Sequence, residues 1–375
     1  MIKRKPRGEG TIYLRTDGSW SAQITLPNGK KKTRNSKSQK VVRDWLQQQR
    51  NTVHQGTWTD TPDVTLGGYL ERYLSDVVAH TLRPTTQESY FILTRTHILP
   101  ELGSVKLTAL RPEQLQNFYA TKLSKGYSKR TVQYLHSIIH KALEQALQWG
   151  LVPRNVADAV QAPRPSRKAP EMLSQEQLEK FIESTQDHPL YALWVTAITT
   201  GMRKAELLGL RWSDVDFDSG IIHINQVAQS VHHHGILISE PKTEKSRRSI
   251  DLPRVTVAAL RLHKQKQEGI RASVREWKNL DLVFPTKLGT PIGSSNVLTY
   301  FHAALEKAGL PKVNFHSLRH LHSTLLLMAG IHPKIVQERL GHSRIDTTMD
   351  IYSHVIPGMQ KPAAATMDQL LGSAA

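Results

Sequence analysis

The sequence predicts an α+β chain of several domains: a small three-stranded sheet with one covering helix, then a helical bundle, then a mainly α region with a small antiparallel sheet. Three observations predict it. Two glycine turns, Asp17-Gly18 and Asn28-Gly29, separate short strand-like runs near the start. Apolar residues then recur at helical spacing as far as Leu147. The segment 162–170 holds Pro163, Pro165 and Pro170, which forbid a helix and favour a stiff, extended strap. The boundaries read as 1–60, 64–162 and 172–375. A chain of 375 residues also exceeds one ordinary core, at roughly 150 residues per domain.

In the first region, Gly10 to Arg15, Ser19 to Leu26 and Lys30 to Arg34 read as strands, and the Asp-Gly and Asn-Gly pairs are strong hairpin signals. From Ser38 to His54 the period turns helical, with Val41, Val42, Trp45 and Leu46 on the face that covers the sheet. Lys30, Lys31, Lys32 and Arg34 make the last strand basic. Such charge suits a sheet laid into a DNA groove, the bland alternative being a solvated basic strand.

A linker is expected over 57–63, followed by four helices. Thr65 caps the first, Pro84 opens the second, Pro112 the third, and Ser128 caps a long fourth that ends at Gly150. In the fourth, Val132, Leu135, Ile138, Ile139, Leu143 and Leu147 form a core stripe. The proline strap carries Arg164, Arg167 and Lys168, placed to follow a phosphate backbone. Ser174 with Gln177 then has capping-box spacing. Helices continue to about Leu210, short strands lie within Ile221 to Leu252, and helices return to the end. After a break at Pro362, Met367, Leu370 and Leu371 form a short amphipathic stripe, suited to docking on a neighbour or else a frayed terminus.

Composition narrows the function. Lys and Arg number 50 against 32 acidic residues, a net charge of +18, so the expected partner is a polyanion, nucleic acid first. No apolar run approaches the ~20 residues of a spanning helix, and the start Met1-Ile2-Lys3-Arg4-Lys5-Pro6 lacks a following apolar signal region. The expectation is a cytoplasmic protein with no membrane partner. The absence of cysteine excludes disulfides, thiolate metal sites and a cysteine nucleophile.

Taken singly, the chemical candidates are weak. Arg203 follows a glycine turn and could be an ordinary surface arginine. His316 and His320 stand one turn apart, but the acidic residue of a His-Glu-x-x-His zinc site is missing. Pro241-Lys242-Thr243 begins what reads as a basic hairpin, whose Lys245, Arg247 and Arg248 could hold DNA.

In order along the chain, however, Arg203, Lys242, His316 with Arg319, Leu340-Gly341-His342 and Tyr352 resemble the signature of the tyrosine recombinases, the lambda-type phage integrases. The spacing from His342 to Tyr352 is one residue longer than in many relatives, and Leu321 stands where a polar residue is commoner. The resemblance is most specific from about 172 onward. It implies that the bundle is a core-binding domain and the first sixty residues an arm-binding module.

What the resemblance implies is chemically coherent. A phosphodiester attacked by a phenol gains negative charge, which planar guanidiniums clamp in bidentate fashion. Arg203 and Arg319 would do this, and His316 and His342 would add hydrogen bonds. Lys242 would protonate the departing 5′-oxygen, Tyr352 would take the 3′-phosphate, and Glu206 would orient its neighbours. The covalent link conserves the ester's energy, so no cofactor is expected, neither ATP nor a metal. The implied partners are double-stranded DNA attachment sites, three further copies of the chain in a tetramer on DNA, and a directionality factor or host DNA-bending protein. The rival classes are a non-enzymatic architectural DNA-binding protein and a metal-dependent nuclease, the latter disfavoured by the lack of an acidic cluster. Within the recombinases, a housekeeping enzyme resolving chromosome dimers is the alternative to a mobile-element integrase.

Overall fold

The computed structural model describes residues 9–27, 29–54, 64–165, 171–231, 235–241, 246–342, 344–345, 348–349 and 360–371. The chain divides into two compact units, 1–167 and 168–375.

In the first unit, β1 (Thr11–Leu14), β2 (Trp20–Thr25) and β3 (Lys31–Ser36) form an antiparallel sheet in sequential order. Gly18 and Gly29 take φ of 78° and 81° at the two turns, a region open to glycine but strained for other residues. Helix α1 (Gln39–His54) packs on β2, and Ala22, Ile24, Val42 and Leu46 make a small core. Strand alternation puts Ile12, Ala22 and Arg34 in one cross-strand row and Thr11, Gln23 and Thr33 in the next.

The bundle has its own core, built from Leu66, Tyr69, Leu115, Leu135, Ile139 and their neighbours. Thr65 caps α2 (Leu66–Tyr73) by accepting from the Gly68 amide, and Ser128 caps α7 (Lys129–Gln148) by accepting from the Thr131 amide. Helix α2 runs through a π-helical turn, Leu74–Val78, into α3 (Ala79–Thr81). Helix α4 (Pro84–Leu93) likewise runs through Thr94–Ile98 into α5 (Leu99–Leu102), and α6 (Pro112–Ser124) opens at Pro112. The two π-turns were not expected.

The second unit opens with α8 (Gln175–Ser184), where the Ser174–Gln177 capping box forms in both directions. Helix α9 (Tyr191–Thr200) is buried along nearly its whole length, and Trp194 meets Phe181, Phe301 and Phe315 at the centre of the core. Next come α10 (Lys204–Gly209), β4 (Val215–Asp216), β5 (Ile221–His223), β6 (Val227–Val231), β7 (Gly235–Ser239) and β8 (Ser249–Asp251). Helices α11 (Arg254–Ser273), α12 (Ser294–Lys307), α13 (His316–Met328) and α14 (Pro333–Leu340) follow.

The strands correct one expectation. β7 pairs with β6, whereas β8 pairs with β5, burying Ile222 against Ile250. The Pro241-to-Arg248 link therefore joins two sheets and is not a hairpin between paired strands. A second correction concerns the tail. Its helix, Gln360–Leu371, begins before Pro362, because proline is tolerated in a first turn whose amides have no partner within the helix. Met367 and Leu371 are exposed there, and the Leu370 side chain lies outside the described residues.

Candidate active site

The site grows from two glycine-terminated helix ends. Helix α9 stops at Gly201 (φ 64°) and α14 at Gly341 (φ 66°). A Cβ on Gly201 would lie 2.6 Å from Leu340 Cδ2 and 2.7 Å from His322 Cδ2, so only glycine lets these elements approach so closely. Beyond Gly201 the chain turns at once into α10. Glu206, three residues into that helix, reaches back to accept from the Arg203 amide at 2.8 Å. The same carboxylate takes Arg203 Nη1 at 2.7 Å.

At the end of α14 the Gly341 and His342 amides return to the carbonyls of Glu338 and Gln337, the Schellman closure of a helix C-terminus. The next three carbonyls go to three different arginines. Arg339 O accepts from Arg248 Nε at 2.6 Å, Leu340 O from Arg319 Nη2 at 2.7 Å, and Gly341 O from Arg203 Nη2 at 3.0 Å. Arg319 also donates to Gly201 O at 2.8 Å, so it ties the two glycine ends together. A helix C-terminus carries partial negative charge, which favours cations there. Glu206, 2% exposed, supplies the full counter-charge by also holding both terminal nitrogens of Arg248. These arginines keep its carboxyl below the usual range despite burial.

Arg203 and Arg319 each use two of a guanidinium's five N–H donors on groups among the described residues, and three of each are uncommitted there. Arg319 is 4% exposed. Burial, then Arg203, lowers its pKa to about 9, so it stays charged at neutral pH. His342 donates to or accepts from Thr348 Oγ1 at 2.9 Å. Burial and then Arg319, Arg203 and Arg248 lower its pKa to about 3. His316 opens α13, edge-on to His320 with ring centroids 4.9 Å apart. Partial loss of water, then His320, Arg319 and Arg203, lower its pKa to about 4, although its ring is exposed and water screens part of that effect. Both rings are therefore neutral at pH 7, each carrying one N–H. Among the described residues no group of three or more metal-ligating side chains occurs.

The structure thus brings Arg203, His316, Arg319 and His342 around one helix end. Lys242 and Tyr352 lie outside the described residues, as do Arg167 and Lys168. Arg164 is exposed in irregular chain. The basic set of β3 is divided. Lys32 and Arg34 pair with Ile24 and Ala22, whose side chains are covered by α1, and Lys32 Nζ reaches Gln49 of that helix at 3.4 Å. The opposite face instead presents Tyr13, Gln23, Lys31, Thr33 and Asn35, while Lys30 is exposed beside the turn before β3.

Sequence reading missed three further residues. Arg248, one of the link residues that could have held DNA, has a side chain only 7% exposed and is bound to Glu206. His322 contacts Ile198 O through Nδ1, and its Nε2 accepts from Arg339 Nε at 3.2 Å. That pairing fixes the neutral tautomer, with the proton on Nδ1, and burial with Arg339 lowers its pKa to about 4. No local motif marks His322 or Arg339, since their partners are distant in sequence.

A pH dependence follows. The folded pKa values of His322 and His342 lie below the unfolded value near 6.5, so their stabilising contribution is complete above pH 6.5 and is lost as pH falls toward about 4 and 3. His97, His136, His188 and His263 shift in the same direction. The melting temperature of the whole chain is expected to fall between pH 7.5 and 5, before carboxylates protonate. A constant value over that range would contradict neutral, buried rings.

Comparison with known proteins puts the chain in the tyrosine class of site-specific recombinases. The chain belongs to the phage integrase family, whose model matches residues 171–358, and the N-terminal SAM-like domain of phage integrases matches 65–123. A tyrosine recombinase XerC-like protein of Caldanaerobacter subterraneus subsp. tengcongensis is 31% identical over 85% of this chain and 87% of its own length. Among solved structures, the Tn1549 transposon integrase in complex with transposon right end DNA is 22% identical, with a TM-score of 0.70 over 82% of this chain and all of that one. A lambda integrase tetramer bound to a Holliday junction is 18% identical, with a TM-score of 0.58 over 93% of this chain and 96% of that one. No described helix is long and apolar enough to cross a membrane.

Proposed function

We propose that this chain is the integrase of a phage or other mobile element, cutting and rejoining attachment-site DNA through a 3′-phosphotyrosyl link at Tyr352. The observation that carries the reading is the anchoring of Arg319 on the ends of α9 and α14 and of Arg203 on Glu206 and the end of α14, with three donors of each uncommitted among the described residues and neutral histidines beside them. Such a preset array suits the added charge of a pentacoordinate phosphate and needs no rearrangement when that charge develops. The Tyr352 phenol releases its proton to solvent as its oxygen attacks phosphorus, the bond to the 5′-oxygen breaks, and Lys242 gives that oxygen a proton. The 5′-hydroxyl of a partner strand then attacks the phosphotyrosine and frees the phenol. Done twice, on paired duplexes held by four protomers, this passes through a Holliday junction. The lambda tetramer on such a junction supports the assembly by likeness of fold.

In this reading 1–60 is the arm-type module, 64–162 the core-binding domain and 172–375 the catalytic domain. Arg164, Arg167 and Lys168 contact backbone phosphates between the last two, and Lys30, Lys31, Lys32 and Arg34 do so around the module's sheet. The location is the bacterial cytoplasm, on DNA, with a directionality factor or a host DNA-bending protein as further partner. The XerC-like relative keeps a second reading in view, a housekeeping resolvase of chromosome dimers.

Truncation separates the two. A chain beginning at Val64 is expected to cleave a core site as well as the whole protein does. It should fail to recombine full attachment sites cloned from the insertion junctions, because the module's separate sites go unbound. Binding of those sites by the whole chain should weaken steeply with salt. Efficient recombination of full sites by the truncated chain would favour the housekeeping reading.

A further inference from the structure

One of the link's basic residues, Arg248, is turned inward. Arg248 directly precedes β8, and its carbonyl accepts from the Ile224 amide at 2.9 Å, so the three-stranded sheet fixes its backbone. Its guanidinium commits four of five donors among the described residues: Nε to Arg339 O, Nη1 to Glu206 Oε1 and Ser246 O, and Nη2 to Glu206 Oε2. Arg203 and Arg319 commit two each. Arg248 is thus spent on protein groups. Two of the three groups it holds belong to the site, since Glu206 is the carboxylate that orients Arg203, and Arg339 O adjoins the carbonyl that anchors Arg319.

We propose that Arg248 is a positioning residue of the strand-cleavage site: by bridging Glu206 and the last turn of α14, it sets the spacing at which Arg203 and Arg319 meet the scissile phosphate, without touching that phosphate. The inference rests on the strand-transfer reading above. It also gives the link that carries Lys242 a fixed end, because Arg248 closes that link onto the same helix terminus.

The chemistry distinguishes a positioning role from a clamp. Among the described residues, Arg203 from the start of α10, Arg248 from the edge of β8, and Arg319 with His316 from α13 are the charged and titratable groups that act on Glu206. Without Arg248 the buried carboxylate loses its strongest counter-charge, so it protonates at higher pH and Arg203 loses its guide.

The test uses the full chain at saturation on nicked core-site DNA, following covalent trapping in a single turnover across pH. Arg248→Lys keeps the charge but not the fork, and is expected to trap roughly 10- to 100-fold more slowly with core-site binding unchanged. Arg248→Met should in addition move the acid limb of the rate profile upward. That shift should vanish in Arg248→Met combined with Glu206→Gln, and the double variant should be little slower than the worse single one. A purely structural residue would lower the trapped fraction with the melting temperature and leave the acid limb in place, and that result overturns the proposal. So does rescue of Arg248→Met by a methylphosphonate at the scissile position, which would mean direct contact with the phosphate. Arg248→Lys trapping at the parent rate overturns it as well. If the parent chain itself traps no DNA, it is the strand-transfer reading that fails, and the positioning role falls with it.

Discussion

Replacing Tyr352 by Phe is expected to abolish covalent trapping on nicked core-site DNA while leaving binding of that site unchanged. The substitution removes one hydroxyl and nothing else, so residual folding or affinity cannot account for the loss. A phenol with a pKa near 10 is ionised to about one part in a thousand at neutral pH. Cationic arginines favour the phenolate, and in the proposed reading Arg203 and Arg319 would supply that charge. Other tyrosines are poor substitutes. Tyr69, Tyr73 and Tyr119 are buried in the bundle core, where burial pushes their pKa up, that of Tyr73 to about 12. Covalent complex still forming with Tyr352→Phe, mapped by digestion to another residue, would remove Tyr352 from the mechanism.

The second large effect belongs to Arg319→Ala. Its guanidinium satisfies two carbonyls, Gly201 O and Leu340 O, at the meeting of two helix ends, and a buried carbonyl left without a partner costs about 1–3 kcal/mol. In the proposed reading it also donates to the phosphate, and losing one such donor from a preorganised site slows reaction by roughly 10²–10³-fold. Trapping should therefore fall by about 10³-fold or more, with a lower melting temperature. A methylphosphonate at the scissile position carries one negative charge fewer and should recover part of the rate. Cleavage within tenfold of the parent would show that Arg319 is a structural tie only.

How far the sequence carried this reading depends on the range of each interaction. The hairpins over residues 10–36 and the caps at Thr65, Ser128 and Ser174 are local events, set by a glycine at positive φ or a side chain bonding an amide three residues on, and all formed. The convergence of Arg203, His316, Arg319 and His342 was anticipated from motif order, although nothing local in those segments implies that they meet. The π-turns at Leu74–Val78 and Thr94–Ile98 escaped notice because one extra residue per turn barely alters apolar spacing over so short a stretch. The role of Arg248 escaped for a different reason: its partners lie 42 and 91 residues away, and among neighbouring basic residues only burial separates the one that turns inward. The basic strand was legible as charge but not as geometry. Which lysine shares a face with α1 is a matter of register, and Lys32 lands on that side while Lys31 does not.

The hold that three guanidiniums take on α14 has a consequence for how the site tolerates change. Their acceptors are main-chain oxygens of residues 339, 340 and 341, which every residue type carries, so, the left-handed Gly341 apart, the anchorage is written in the register of the helix more than in its side chains. Losing one residue within 333–340 would turn each following carbonyl by about 100° and displace all three arginines together. Point changes on the exposed surface of α14 should pass almost unnoticed, whereas a one-residue deletion there should silence the enzyme as thoroughly as removing its nucleophile.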